Sequence, residues 1–398
     1  MKDGWSILPF DKVGSIVSGN RPQGGVGQYK EGALSLGGEH IGVDGKLALS
    51  TPKFVPLDYY VANPKGHIKQ GDILLCKDGA LSGKVALERG ELDGKKSMVN
   101  EHVFIIRTDR IDQRYLFFYL FSPVGQNLLK GIVTGAAQGG INGKNLKSLP
   151  VVFPNSVDEQ RHIVDELDLL SGIIEKKNCQ LKDLDALSRS VFYEMFGEPG
   201  SNGQWKEKTV GDCFISIKNG ANIKQTKGAK GLPITRIETL ANGVFNRDRL
   251  GYADVYDVEK YHSYILSDGD ILMSHINSKA YIGRSVVYKA CPDETIIHGM
   301  NLLRLIANDS IILPVYAKFF FDTEYFKSQV ASIRKDAVNQ SSMAVGDLKK
   351  LKILTPSLDL QESFIERVSA IEEQKAIIES SVKDSMTLLT SRMDYWFC

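Results

Sequence analysis

Along the first 150 positions the apolar residues fall into short runs, ILLC at 73–76, VAL at 85–87 and VFII at 103–106, each bounded by Gly, Pro, Asn or Asp clusters. Runs of that length between turn formers predict strands. From Tyr115 the pattern changes, and YLFFYLF (115–121) continues into Val124–Ile132 with helical spacing. A Gly-rich stretch, TGAAQGGINGKN (134–145), then precedes LPVVF and Pro154. The same order returns later: ILM at 271–273, VVY at 286–288, LLRLI at 302–306 and an aromatic helix over 316–330. NQSSMAVGD (339–347) takes the place of the Gly-rich stretch, and LKIL leads to Pro356. Strands and helices without regular βαβ alternation predict α+β modules.

Between and after these modules the pattern is more regular. Ile163, Leu167, Leu170, Ile174, Leu181, Leu184, Val191 and Met195 form a stripe of roughly 3.5-residue period, interrupted at Lys177 and Ser188. Asp158 and Glu159 suit the positive end of a helix, and Gly197 with Pro199 terminates it. A second stripe runs through Phe364, Val368, Ile371, Ile378, Val382, Leu389 and Trp396. A helix from Asp158 to Phe196 would span roughly 58 Å at ~1.5 Å per residue. One apolar face on so long a helix calls for a partner, and the chain supplies one of equal length. The pair is predicted to form an intramolecular coiled coil. The alternative is that each helix folds back on its own module.

The modules are copies. GDILLCK (71–77) returns as GDILMSH (269–275), Trp5 answers Trp205, and Val13-Gly14 answers Val210-Gly211. Gln138 answers Gln340, Leu146 answers Leu348, and Gln160, Ile163 and Val164 answer Gln361, Phe364 and Ile365. A repeat of about 200 residues is too long for a solenoid unit and indicates tandem homologous modules. Two copies of one module suit a target with two sites.

Charge divides the chain the same way. The net charge of +1 conceals +5 over 1–150, −5 over 151–198, +5 over 199–356 and −4 over 357–398. Basic modules alternate with acidic helices, so phosphate affinity is expected of the modules alone. With 42% hydrophobic and 24% charged residues the composition is that of a folded chain. No apolar run reaches membrane-span length, and the N-terminus has no signal-peptide core, so a cytoplasmic protein is expected. Five scattered cysteines without CxxC read as reduced thiols and argue against zinc.

The blocks GDILLCKDGALSGKVAL (71–87), MVNEHVFIIR (98–107), LKSLPVVFP, DEQRHIVDEL and VFYEMFGEPGSNGQW, in this order, resemble the specificity subunit of type I restriction–modification enzymes over essentially the whole chain. The resemblance implies target recognition domains at 1–157 and 198–357, each reading half of a bipartite site on double-stranded DNA. It implies antiparallel spacer helices at 158–197 and 358–398 that dock two modification subunits. Adenine N6 methylation would belong to those subunits, and ATP-driven translocation and cleavage to restriction subunits. S-adenosylmethionine, ATP and magnesium are then expected on the partners, with no cofactor on this non-catalytic chain.

Direct base readout uses Arg, Lys, Asn and Gln side chains. The first module offers Arg21, Gln23, Gln28, Lys53, Lys77 and Lys84. The second offers Lys224, Lys227, Lys230, Arg236, Arg247, Arg249, Lys279 and Arg284, with Asn222, Gln225, Asn246, His275 and Asn277 beside them. A solvated surface charge is the plainer role for any one lysine. Two other functions stay open. A protein scaffold explains the helices but not the duplicated basic modules. A self-sufficient methyltransferase would need an Asn/Asp-Pro-Pro-aromatic tetrapeptide, and no two prolines are adjacent here. Neither a GxxxxGK[ST] phosphate loop nor an HExxH motif occurs.

Overall fold

A computed structural model of the chain describes residues 2–135, 139–200, 205–225, 228, 230–337 and 340–398. The chain divides into two compact units, Met1–Cys179 with Ile378–Cys398, and Gln180–Ile377. In the first, β1 (Ser15–Ser18), β2 (Ile73–Cys76), β3 (Val85–Leu87) and β4 (Val103–Arg107) form an antiparallel sheet in the order β1-β4-β2-β3. Ile73, Leu75, Phe104 and Ile106 face a core built with α1 (Gln113–Phe121) and α2 (Pro123–Gly131). Leu74, Cys76, Val103 and Ile105 face a second cluster with Leu36, Ile41 and Leu92. Burial on both faces is why these strands read as continuous apolar runs without alternation. Trp5–Pro9 pairs with Pro150–Pro154, which places the strand before the first long helix beside the start of the chain.

The second unit repeats the plan. Its β5 (Phe214–Asn219), β6 (Ile271–Ser274), β7 (Ser285–Val287) and β8 (Leu302–Ala307) take the order β5-β8-β6-β7, followed by α3 (Pro314–Phe321) and α4 (Glu324–Ile333). Buried hydrogen bonds fix the equivalence of the two units. The hydroxyl of Tyr115 donates to Val152 O, and that of Tyr316 to Leu354 O. Ser122 caps α2 by accepting from Gly125 N–H, as Thr323 caps α4 by accepting from Phe326 N–H. The Gln160 carbonyl accepts from Asp112 N–H, and that of Gln361 from Leu313 N–H. Each matched pair is offset by 201 positions except the acceptors Val152 and Leu354, which are offset by 202.

Two helices of 40 residues, Val157–Phe196 and Leu358–Phe397, complete the fold. Gly197 ends the first at φ +70°, its N–H donating to Tyr193 O in the left-handed cap that glycine favours. Within the first unit Ile163, Val164 and Leu167 share a core with Met393 and Phe397, and the Phe397 ring meets Tyr115 edge-on at 5.5 Å. There Arg392 and the Trp396 indole both donate to Glu166. Within the second unit Phe192 and Phe196 share a core with Phe364 and Val368, and Lys375 pairs with Asp185 at 2.7 Å. In each unit the early residues of one helix meet the late residues of the other, so the pairing is antiparallel.

The remaining stripe residues are half-buried: Leu170, Ile174, Ile378, Val382 and Leu389 in the first unit, Leu181, Leu184, Val191 and Ile371 in the second. Helix pairing and packing on a module therefore coexist, with the helix ends serving as module core and the middles as a thinner seam. Lys177, which interrupts the stripe, donates from Nζ to Ser381 Oγ at 2.5 Å and Ser385 Oγ at 3.0 Å. Among the described residues no helix is long and apolar enough to cross a membrane.

Candidate nucleic-acid interface

In the first unit β1 and β2 end, and β3 and β4 begin, at one edge of the sheet, so the segments following Ser18 and Cys76 and preceding Val85 and Val103 converge on one rim. Gly19 makes the close approach possible: a Cβ there would stand 1.9 Å from Val99 O. The rim carries both signs of charge. Arg21 pairs with Glu101 at 2.5 Å, and His102 lies 3.1 Å from Asp78 and 3.3 Å from Glu101. Lys53 reaches the rim through Glu39 at 2.5 Å, whose carboxylate and the Asn100 amide both crowd Gly37. Burial, the largest single influence, would raise the Glu39 carboxyl, but the hydrogen bond from Lys53, a backbone hydrogen bond and the charges of His40 and Lys53 together hold the group below its usual range. Lys77 lies over the Phe104 ring at 4.9 Å, and Lys84 enters the turn before β3.

The Gly-rich stretch completes this rim. Gly79 N–H and the Ser82 hydroxyl donate to Gly139 O, and Ile141 N–H donates to Lys77 O at 2.7 Å. The second unit closes its rim likewise, with Met343 N–H donating to His275 O at 2.9 Å. Gln23 and Gln28 are exposed beyond Arg21.

On the second rim Gly220 plays the part of Gly19, its missing Cβ lying 2.2 Å from His298 O. Asn222 and Lys224 follow it, exposed, and Lys218 reaches over Tyr264 at 5.7 Å. Lys279 lies 3.5 Å from Asp336, whose carboxyl is held far below its usual range chiefly by the hydrogen bond from Arg334 and then by Ser341. Arg284 stacks on Tyr281 at 4.4 Å. Gln225 and Arg236 come together against Gly251, where a Cβ would meet both. Arg249 and Lys230 are exposed on the same insertion, and Lys227 lies outside the described residues.

Not every candidate is free to read. Arg247 spends two guanidinium nitrogens on Glu294, at 2.6 and 2.9 Å, and also donates to Lys289 O. Tyr288 donates to the same carboxylate at 2.6 Å, so Arg247 fastens the 288–294 segment. His275 is buried and keeps Nδ1 without a hydrogen-bond partner among the described residues. Conversely, a search for basic and amide side chains passes over Glu101 and His102, which share the first rim with Asp78. A carboxylate can accept from a cytosine amino group. No sequence signal brings them together, because Glu101 and Arg21 stand 80 positions apart. Among the described residues no group of three or more His, Cys, Asp or Glu side chains could hold a metal ion.

The family model of the type I restriction modification DNA specificity domain matches the chain twice, over residues 45–183 and 202–386. The chain belongs to this family. A putative type I restriction enzyme MjaX specificity subunit of Methanocaldococcus jannaschii is 36% identical over 195 residues, 47% of this chain and 46% of that protein. The MjaIX specificity subunit of the same organism is 24% identical over 267 residues, 60% of this chain and 59% of its relative. These matches span about half the length of the curated relatives. The fold is also that of the type I restriction-modification S subunit from M. genitalium, at a TM-score of 0.53 and 14% identity over 98% of this chain and 95% of that one. A chain from a study of complex assembly and conformational transition of the type I R-M system gives 0.50 at 18% identity, over 100% and 98%. Each match contains most of one long helix, and the first begins after Gly19 and Arg21 of its rim.

Proposed function

We propose that this specificity chain is the non-catalytic DNA reader of a type I restriction–modification complex. Each unit reads one half of a bipartite duplex site, and the long helices set the spacing and dock two modification subunits. Methylation with S-adenosylmethionine, and ATP- and magnesium-dependent cleavage by restriction subunits, lie outside the chain. One observation carries the reading. The hydrogen bonds that build the units recur at an offset of 201 or 202, while the rim side chains differ. Lys77 is answered by His275, since each carbonyl accepts from the closing stretch, and Lys84 by Arg284, since each carbonyl accepts from the end of β2 or β6. One scaffold carrying two sets of readers suits a site whose halves differ in sequence. Mixed donors and acceptors on each rim suit base edges, and the flanking lysines suit phosphate.

The chain co-expressed with its modification subunit is expected to methylate adenines in a split motif with unlike halves. Duplex binding by that complex should weaken steeply with salt, since each phosphate contact released contributes about one unit to the log–log slope. A motif with identical halves, or binding indifferent to salt, would refute the reading.

A further inference from the structure

The second unit contains a cavity of about 550 Å³ enclosed by both long helices, α3, α4 and the turn before β7. Seven basic side chains line it against three carboxylates. Two of the seven, Arg189 and Arg284, have no carboxylate partner among the described residues. Lys318 pairs with Asp322 at 2.9 Å, Lys375 with Asp185 at 2.7 Å and Glu372 at 3.0 Å, Lys327 with Glu324 at 2.9 Å, and Arg334 and Lys279 with Asp336 at 2.6 and 3.5 Å, so the surplus of positive charge rests on Arg189 and Arg284. Ser188 lines the same cavity, is 2% exposed, and keeps a hydroxyl without a hydrogen-bond partner among the described residues. The floor is apolar, with Phe192, Phe319 and Val330.

The first unit shows that the fold does not require this charge. At the offset of 201, Lys318 and Asp322 correspond to Phe117 and Phe121, Lys327 to Gln126, Arg334 to Val133 and Lys375 to Ile174. Phe117 and Phe121 stack at 5.4 Å, and the chain's own turn at Gly45 covers them, with Lys46 crossing to Glu175 at 2.5 Å. On the opposite helix, Ser188 and Arg189 correspond to Leu389 and Thr390. Apolar or neutral residues thus suffice for packing, and the second unit has charge in their place around a cavity.

We propose that this cavity binds a small oligophosphate, free or carried on a nucleoside. Guanidinium and ammonium groups converging from several elements match phosphate oxygens. The volume lies within the range of small-molecule sites, roughly 300–1,000 Å³. The ligand would join the turn carrying Lys279 and Arg284, which belongs to the recognition rim, to both long helices.

Calorimetric titration of the full chain with sodium tripolyphosphate, and separately with a nucleoside triphosphate, tests the assignment. One-to-one binding is expected. Lys327→Gln and Arg334→Val, which install the first unit's residues, should each weaken it about tenfold, as loss of a charged hydrogen bond implies. Lys130→Gln in the first unit should leave it unchanged. Equal affinity for both probes identifies free oligophosphate as the ligand, whereas tighter nucleoside triphosphate binding identifies a nucleotide. No binding of either probe, or equal weakening by all three variants, would overturn the proposal. So would one-to-one binding of a glutamate-rich peptide in the absence of triphosphate affinity.

Discussion

His298 lies fully buried in the second unit where the first has Val99, an equivalence fixed by the pairing of Cys76 with Val103 and of Ser274 with Leu302. The NEH of residues 100–102 therefore matches GMN at 299–301. The His298 Nε2 lies 2.9 Å from Leu302 O, and Nδ1 has no hydrogen-bond partner among the described residues. Burial pushes its pKa from 6.5 down to about 4, with Arg304, His275 and Lys218 adding like charge. The neutral ring is thus the folded form, whereas the unfolded chain takes up the proton near 6.5. Stability should fall as pH drops from about 6.5 to about 4 and then level off, by up to about 3 kcal/mol at ~1.4 kcal/mol per unit. Urea midpoints across that interval, compared with His298→Gln, measure this contribution. The variant should lose most of the acid slope, since glutamine can still donate to Leu302 O, and an unaltered slope would exclude His298 as its source. Single residues were the least legible scale in the sequence. The acceptors that occupy Arg247 and Lys53 are brought near by folding, Glu294 from 47 positions away. A basic side chain looks the same in sequence whether it is free to read or already bound.

At the scale of elements the long helices were legible because their apolar spacing persists over many turns, and the strands because short apolar runs sit between turn formers. Strand partners were not, since ILLC, VFII and LLRLI present apolar residues to both faces and carry no sign of which neighbour they choose. The uneven helix seam was hidden for a related reason. Phe364 and Ile371 stand on one stripe, yet Phe364 is buried among Phe192, Phe196 and Phe319 while Ile371 is half-buried. Phe364→Ala should cost about 3–5 kcal/mol, the usual range for a buried aromatic. Ile371→Ala should cost less than half of that, because water already reaches its side chain. Chemical denaturation of both variants decides the matter. Comparable losses would mean that the seam is as tightly packed as the module core, contrary to the burial observed.

For the molecule as a whole, duplication was the strongest signal in the sequence, and the separation of the half-sites is its least visible consequence. On the proposed function that separation is set by helix length, which the chain can change without touching either rim. Lys177 faces Ser381 and Ser385, so a heptad removed around Lys177 and another around residues 380–386 would shorten the paired helices together. Seven residues preserve the apolar seam and remove about 10 Å. At ~3.4 Å per base pair, the spacer between half-sites should contract by up to about three base pairs. The half-sites themselves should be unchanged, because every rim side chain stays in place. Mapping methylated adenines produced by the shortened chain with its modification subunit reads both quantities at once. Altered half-sites with the original spacer would mean that the helices do not act as the ruler. Removing only the 380–386 heptad should instead abolish methylation, because Ser381 and Ser385 go with it and Lys177 is left on the seam without either acceptor.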